Sequence, residues 1–393
     1  MFRCLELAKR AAGYVAPNPL VGAVLVYNDR IIGEGWHQQY GEAHAEVNCI
    51  ASVKKEDSDL ISRSTLYVSL EPCAHFGKTP PCTDLIILNK IPKVIIGCRD
   101  PFKEVNGKGI ERLKAAGIEV EVGIAEIECK ELNTRFFTFH TMHRPYILLK
   151  WAETANGKMA ASPPPAREAS PNPSAGGALE SSKDKMSFPY SESKAPLAGG
   201  EGASLAGNRV ITKIGNEVRG GPRLYISNEY TNRLVHQWRS EEAAILIGTN
   251  TALLDNPELT TRWWPGKSPI RLVIDMDLRL SASLKIFNGE VKTIIFNTVR
   301  QEEKENLIYY KLEKNNNLVR QLMEAIYQLK IQSVLVEGGA KLLQSFIDEG
   351  MWDEARIIKN EELIINNGLN APVLNGGKKI VEQKFLSDII EIY

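Results

Sequence analysis

Two stretches, Ala43-His44-Ala45-Glu46 and Glu71-Pro72-Cys73-Ala74-His75-Phe76-Gly77-Lys78-Thr79-Pro80-Pro81-Cys82, decide how this chain is read. One imidazole and two thiols are the ligand set of a zinc site with three protein ligands, which keeps a fourth position for water. His44, Cys73 and Cys82 supply that set, and Glu46 is placed to handle the protons of the water. Pro72 and Pro80-Pro81 restrict the backbone ahead of each thiol. A lone His-x-Glu arises by chance, and buried cysteines are common because the side chain behaves as a small hydrophobe. The weight comes from order: H-x-E at a predicted helix start, a strand, then P-C and P-P-C in a polar loop. The gap between the cysteines is too long for a C-x-x-C motif. His75 lies between two ligands of a set already filled.

The rest of the chain sets bounds on function. With 393 residues, two domains are expected. A formal net charge of zero gives no electrostatic footprint for nucleic acid and no polybasic membrane patch. Six cysteines in so long a chain make no disulfide framework, and thiolate ligands imply a reducing compartment. Cys4, Cys49, Cys98 and Cys129 fall in apolar or helical patterns and are expected to be inert. The first residues carry charges where a signal peptide has an apolar run, and no stretch reaches membrane-span length. A soluble, cytoplasmic protein is expected.

Hydrophobic periodicity predicts a helix over 2–12, a hairpin turning at Asn28-Asp29, and a helix over 43–53 that begins with His44. Strands follow at 65–70, 93–98 and 118–122, with helices after Cys82, near 107–116 and over 125–141. Strands alternating with helices imply a layered α/β domain. A second unit opens with the strand from Tyr146. Residues 162–208 hold seven prolines and few large apolar side chains, a composition that predicts a disordered insert. Order is predicted to resume with a helix over 228–239 capped by Ser227 or Asn228, strands at 243–248, 270–275, 293–297 and 333–337, and helices over 318–329 and 340–349. Glu337-Gly338-Gly339 joins a strand to a helix, where backbone amides can approach phosphate. No G-x-G-x-x-G is present, so nothing supports a Rossmann fold.

H-x-E followed by P-C and a second cysteine resembles the zinc-dependent nucleobase deaminases. Pro17-Asn18-Pro19-Leu20-Val21-Gly22-Ala23-Val24, Gly41 to Val47, Glu71 to Cys82, Arg99-Asp100-Pro101 and Gly107-Lys108-Gly109 narrow the likeness. They resemble the deaminase half of the bifunctional riboflavin-biosynthesis deaminase/reductase family. Lys150 to Ala160, Thr249 to Arg262 and Val336 to Gly339 resemble its reductase half. The resemblance implies a cytidine-deaminase-like α/β/α domain over 1–144 and a dihydrofolate-reductase-like α/β domain over 145–393 that uses NADPH. It implies that Asn18, His37 and Lys78 contact the pyrimidinone or its ribose phosphate. Lys150, Arg239, Leu259, Arg262 and Glu337 would face the ribosylamino substrate, and Glu153, Tyr225, Thr251, Asp255 and Gly339 the dinucleotide.

The implied reactions are deamination of 2,5-diamino-6-(ribosylamino)pyrimidin-4-one 5′-phosphate, then reduction of the ribosyl group to ribityl. A homo-oligomer is also implied, with no nucleic-acid or membrane partner. The chain departs from the family pattern where Tyr225 is reached only after the long insert and where Arg223 replaces a small hydroxyl residue. Three other readings stay open here: a deaminase whose reductase half is impaired by the insert, a nucleoside or nucleic-acid deaminase, and a binding protein that keeps zinc as a staple.

Overall fold

A computed structural model describes residues 1–76, 80–161, 226–314 and 317–393. The expected insert at 162–208, together with Lys78, Arg223 and Tyr225, lies outside the described residues.

The first sheet grows from the Asn28-Asp29 turn, whose two residues both adopt left-handed backbone with φ of 46° and 59°. That conformation matches the twist of the strands it joins. These strands are β1 (Gly22–Tyr27) and β2 (Arg30–Trp36), and β3 (Thr65–Leu70), β4 (Lys93–Cys98) and β5 (Glu119–Val122) complete the order β2-β1-β3-β4-β5. β3, β4 and β5 run parallel. Helices α1 (Phe2–Lys9), α2 (Ala45–Ala51), α3 (Cys82–Leu88), α4 (Lys108–Ala115), α5 (Glu126–Leu132) and α6 (Thr134–Met142) complete this half. Side-chain alternation gives the sheet two apolar faces. Leu25, Leu66 and Val68 pack on Cys49, Ile86 and Leu113, while Val24 and Tyr67 meet Cys4 and Leu7 from α1.

The single helix expected over 125–141 is two helices parted at Asn133. The buried Asn133 amide accepts from Leu20 N at 2.8 Å and donates to Leu20 O at 2.9 Å, so tertiary hydrogen bonds hold its backbone out of helical geometry. Periodicity is blind to such a long-range partner.

The second half contains β6 (Tyr146–Thr154), β7 (Lys158–Ala161), α7 (Glu229–Glu241), β8 (Ala244–Gly248), α8 (Thr249–Asp255), β9 (Ile270–Ile274), β10 (Thr293–Asn297), β11 (Glu302–Lys304) and β12 (Leu307–Lys311). Then come α9 (Leu318–Gln328), β13 (Ser333–Val336), α10 (Ala340–Asp348), β14 (Glu354–Asn360), β15 (Gly368–Asn370), β16 (Val381–Phe385) and β17 (Asp388–Ile392). Ten strands form one sheet in the order β11-β12-β10-β9-β8-β13-β6-β14-β17-β16, and β7 pairs with β15. The strands from β12 to β14 in that order are mutually parallel. Leu246, Leu272 and Val336 bury one face under Leu322 and Ile326 of α9 and Leu343 and Phe346 of α10. Asn228, not Ser227, caps α7, its Oδ1 accepting from Tyr230 N and Thr231 N at 3.0 and 3.1 Å.

α6 joins the halves. Arg135 pairs with Glu242, whose side chain is fully buried, and its guanidinium lies 4.8 Å from the Tyr146 ring centroid. Further along the same helix, the Phe139 ring stands 4.7 Å from that of Tyr327.

Candidate active sites

Strand β3 ends at Leu70 and delivers Glu71-Pro72-Cys73, α3 opens at Cys82, and His44 is the N-cap of α2. Three elements therefore converge. His44 Nδ1 lies 3.3 Å from Cys82 Sγ and 3.6 Å from Cys73 Sγ, and all three donor atoms fall within 4.8 Å of one another. Zn–S and Zn–N bonds of ordinary length in a tetrahedron would separate nitrogen from sulfur by about 3.6 Å. The donor set thus fits zinc in both chemistry and spacing. Among the described residues no other His/Cys/Asp/Glu group gathers in this way.

Glu46 sits in the first turn of α2 and is almost fully buried. Burial pushes its carboxyl above the usual range, and the neighbouring Cys73 charge adds to this. A carboxyl raised in this way holds a proton more readily than a free one, as a group that must take a proton and pass it on requires. His37 and Asn18 line the same cavity, of about 420 Å³. His37 Nδ1 faces Ala43 O at 3.0 Å and Nε2 faces Asn18 Nδ2 at 3.1 Å. The ring is therefore best read as protonated on Nδ1, with Nε2 accepting from the amide. Burial holds its pKa down, which favours the neutral ring.

Asp100, in the Arg99-Asp100-Pro101 motif after β4, also lines the cavity. Several other lining residues carry no local sequence signal: Phe102 follows β4, Phe136 and His140 come from α6, and Lys330 and Gln332 come from the second half of the chain. Only the tertiary fold brings them to His44. The Asp100 carboxyl is pushed up to about 7, chiefly by burial.

A second cluster lies at the C-terminal end of β13, beside the middle of β6. The register pairs Val336 with Leu149, which sets Glu337 beside Lys150. Arg239 on α7 donates Nε and Nη2 to the two Glu337 carboxylate oxygens at 2.8 and 2.7 Å, and Lys150 Nζ lies 3.8 Å away. Burial alone would raise the Glu337 carboxyl, but Arg239 and Lys150 outweigh it and bring it down to about 2. Leu259 is buried with φ +55°, and Arg262 is exposed and paired with Glu258. Sequence reasoning missed His236, a buried ring stacked 5.0 Å from Trp263, held down to about 4 by burial and the Arg239 charge.

Next to this cluster, α8 starts after β8 and α10 starts after β13, and the two strands are hydrogen-bonded neighbours. A Cβ on Gly338 would lie 2.6 Å from Leu342, and one on Gly339 would sit 3.6 Å from Thr251 Oγ1. Two helix starts with bare backbone between them suit the phosphates of a dinucleotide. Asp255 closes α8 and is exposed. The Glu153 carboxylate is engaged within the sheet by Trp151 Nε1 at 2.9 Å and by Lys359 at 3.7 Å.

Residues 1–98 match the family described as the cytidine and deoxycytidylate deaminase zinc-binding region, and residues 215–360 match the RibD C-terminal domain. Riboflavin biosynthesis protein RibD of Aquifex aeolicus is 35% identical over 355 residues, which cover 89% of this chain and 82% of that protein. The chain belongs to the RibD family. RibD of Synechocystis is 33% identical, over 95% of this chain and 86% of its own length. Among solved structures, the Thermotoga maritima diaminohydroxyphosphoribosylaminopyrimidine deaminase/5-amino-6-(5-phosphoribosylamino)uracil reductase superposes with a TM-score of 0.75 at 32% identity. That match covers 100% of this chain and 96% of the other. Acinetobacter baumannii RibD gives 0.76 at 26% identity over the same shares. As in other RibD proteins, a cytidine-deaminase-like half and a reductase half of mixed α/β architecture share one chain.

Proposed function

We propose that His44, Cys73 and Cys82 hold the zinc of a pyrimidine deaminase in which Glu46 moves the protons. The chain is a bifunctional enzyme of riboflavin biosynthesis, a zinc-dependent deaminase and an NADPH-dependent reductase. The observation that carries the residue assignment is the His44–Cys73–Cys82 cluster with the buried Glu46 carboxyl beside it in one cavity.

When bound, zinc lowers the pKa of water towards neutrality and so makes hydroxide available for attack on a ring carbon. Glu46 takes the proton that the water loses and gives it to the ring nitrogen as the carbon becomes tetrahedral. It then takes the remaining proton from the hydroxyl on the tetrahedral carbon and delivers it to the exocyclic amine, which leaves as ammonia while the carbonyl forms. Asn18 and His37 orient the pyrimidinone by its edge, and Lys78 meets the phosphate. The substrate is 2,5-diamino-6-(ribosylamino)pyrimidin-4-one 5′-phosphate.

In the second half, Lys150, Arg239, Leu259, Arg262 and Glu337 face the deaminated ribosylamino product. Thr251, Asp255 and Gly339, with Glu153 and Tyr225, face the cofactor. NADPH supplies the hydride. The protein's part is to hold the opened sugar's imine carbon against the nicotinamide. Arg239, held by Glu337, carries positive charge into this buried site, and burial lowers the pKa of Lys150 beside it. We divide the chain into domains at 1–144 and 145–393.

The protein works in the cytoplasm as a homo-oligomer and without nucleic acid, the last supported by its zero formal charge. Among the described residues, no helix is long and apolar enough to cross a membrane. Light scattering of the purified protein tests the oligomer.

The decisive assay follows ammonia release and NADPH oxidation with the diaminopyrimidinone phosphate and, separately, with its deaminated product. Oxidation with both supports the whole reading. Ammonia without oxidation would leave a deaminase alone, and neither signal would reject both assignments.

A further inference from the structure

Glu71 is buried immediately before the ligand-bearing turn, and no step above uses it. Its Oε1 accepts from Gly109 N at 3.0 Å and Ile110 N at 3.3 Å, and its Oε2 accepts from Gly107 N at 3.0 Å and Asp100 N at 3.3 Å. Gly107, the N-cap residue of α4, has φ +90° and no side chain with which to satisfy the helix's first amides. Glu71 does that from just beyond the end of β3, placing negative charge at the positive end of the helix. An ionised carboxylate offers about four lone-pair sites, one for each of these donors. A primary amide would offer half of them and turn two N–H groups of its own against the backbone donors.

The clamp joins two parts of the deaminase site. One part is the segment from Asp100 to Val105, which supplies Asp100, Phe102 and Val105 to the cavity wall. The other is Glu71-Pro72-Cys73. A Cβ on Gly109 would lie 2.0 Å from Pro72 O, so α4 is seated directly on the peptide that precedes Cys73. Glu71 N donates to Cys98 O at 3.0 Å, Cys73 O accepts from Thr83 N at 3.2 Å, and Cys73 Sγ accepts from Cys82 N at 3.3 Å. These bonds anchor the backbone on both sides of Pro72 and the first thiol itself, and Glu71 ties them to the wall that faces the substrate.

We infer that Glu71 is a positioning residue that locks Cys73 and the cavity wall into one rigid unit, setting both zinc retention and substrate binding. The inference rests on the zinc-site assignment made above. Groups that support a ligand from behind typically cost 10–100-fold in metal affinity or activity when lost.

The test uses the full, zinc-loaded chain and its Glu71→Gln variant. Three quantities are read: zinc release to a chromogenic chelator, KM and kcat of ammonia release, and NADPH oxidation with the deaminated substrate. Zinc release about 10–100-fold faster, with a raised KM and unchanged NADPH oxidation, is expected. Wild-type zinc release and KM, with only a lower unfolding temperature, would overturn the inference. If Glu71→Gln does not fold, Gly109→Ala decides: its methyl presses on Pro72 O and crowds Glu71 Oε1 at 3.2 Å, which loosens the same clamp while keeping the carboxylate. Faster zinc release in that variant supports the lock, and unchanged release overturns it. A wild-type protein that holds no zinc would instead reject the zinc assignment itself, and this inference with it.

Discussion

Gln332 and Glu337 flank the single strand β13, yet they serve different sites. Gln332 lines the cavity that contains His44 and Glu46, while Glu337 grips Arg239 beside Lys150. At about 3.3 Å per residue the two positions are separated by about 16 Å along the sheet. The second half of the chain thus builds its own site at one end of the parallel strands and lends a wall to the deaminase cavity at the other.

This shared wall predicts that a charge change in the second half alters the first reaction. Lys330 lines the cavity and makes no ion pair with a described residue. Lys330→Glu places a carboxylate in the wall of a cavity proposed to take a phosphorylated substrate. The KM for ammonia release should rise roughly two- to fivefold, the scale of an exposed charge interaction. NADPH oxidation with the deaminated substrate should not change.

Glu337 predicts an acid limb in stability. Its carboxyl stands at about 2 in the fold against an ordinary 4.5. A depressed carboxyl pKa contributes stability above the unfolded value, which is lost as pH falls through the folded one. The window is therefore from about pH 4.5 down to about 2, and the contribution is about 3 kcal/mol. Glu337→Gln should be less stable than wild type at pH 7 by a similar amount and should lack that part of the acid limb. Urea unfolding across this range checks both.

Arg135 and Glu242 make a comparable prediction for the junction between the halves. Arg135→Ala leaves the fully buried Glu242 carboxylate without its cation. Removing one partner of a buried pair costs about 3–5 kcal/mol. A loss of unfolding free energy of that order, read from urea unfolding as the midpoint shift multiplied by the m value, with both activities retained at 25 °C, is the expected result.

Metal removal should separate the two reactions. Chelation would end ammonia release and lower the unfolding temperature, since a ligand held only by the folded state stabilises it. Oxidation of NADPH by pre-deaminated substrate should persist, because Lys150, Arg239 and Glu337 share no residue with the His44 cluster. Added zinc should restore both lost properties.

The gathering of His44, Cys73 and Cys82 was legible because each sits in a short local motif: an N-capping His44, a strand that delivers Cys73, and a proline pair that opens α3 at Cys82. Strand cores such as Lys93–Cys98 were equally plain from their apolar runs. Asn133, Glu71 and Lys330 were not legible. Their roles depend on Leu20, the amides of α4 and a cavity in the other half of the chain, none of them near in sequence. The four C-terminal strands also went unread, because β16 is largely exposed and carries little alternation. Lys78 and Tyr225 lie outside the described residues, so their roles rest on the sequence.

The most direct test of the account is the Glu46→Gln variant, assayed for both reactions on one zinc-loaded preparation. The variant keeps the shape of the side chain and removes its ability to take a proton. Ammonia release should fall by about 10²–10⁴-fold, the range ascribed to general acid–base catalysis. Zinc content and NADPH oxidation with the deaminated substrate should stay at wild-type levels. Ammonia release within a few fold of wild type would show that Glu46 does not move the protons, and the proposed mechanism would be wrong.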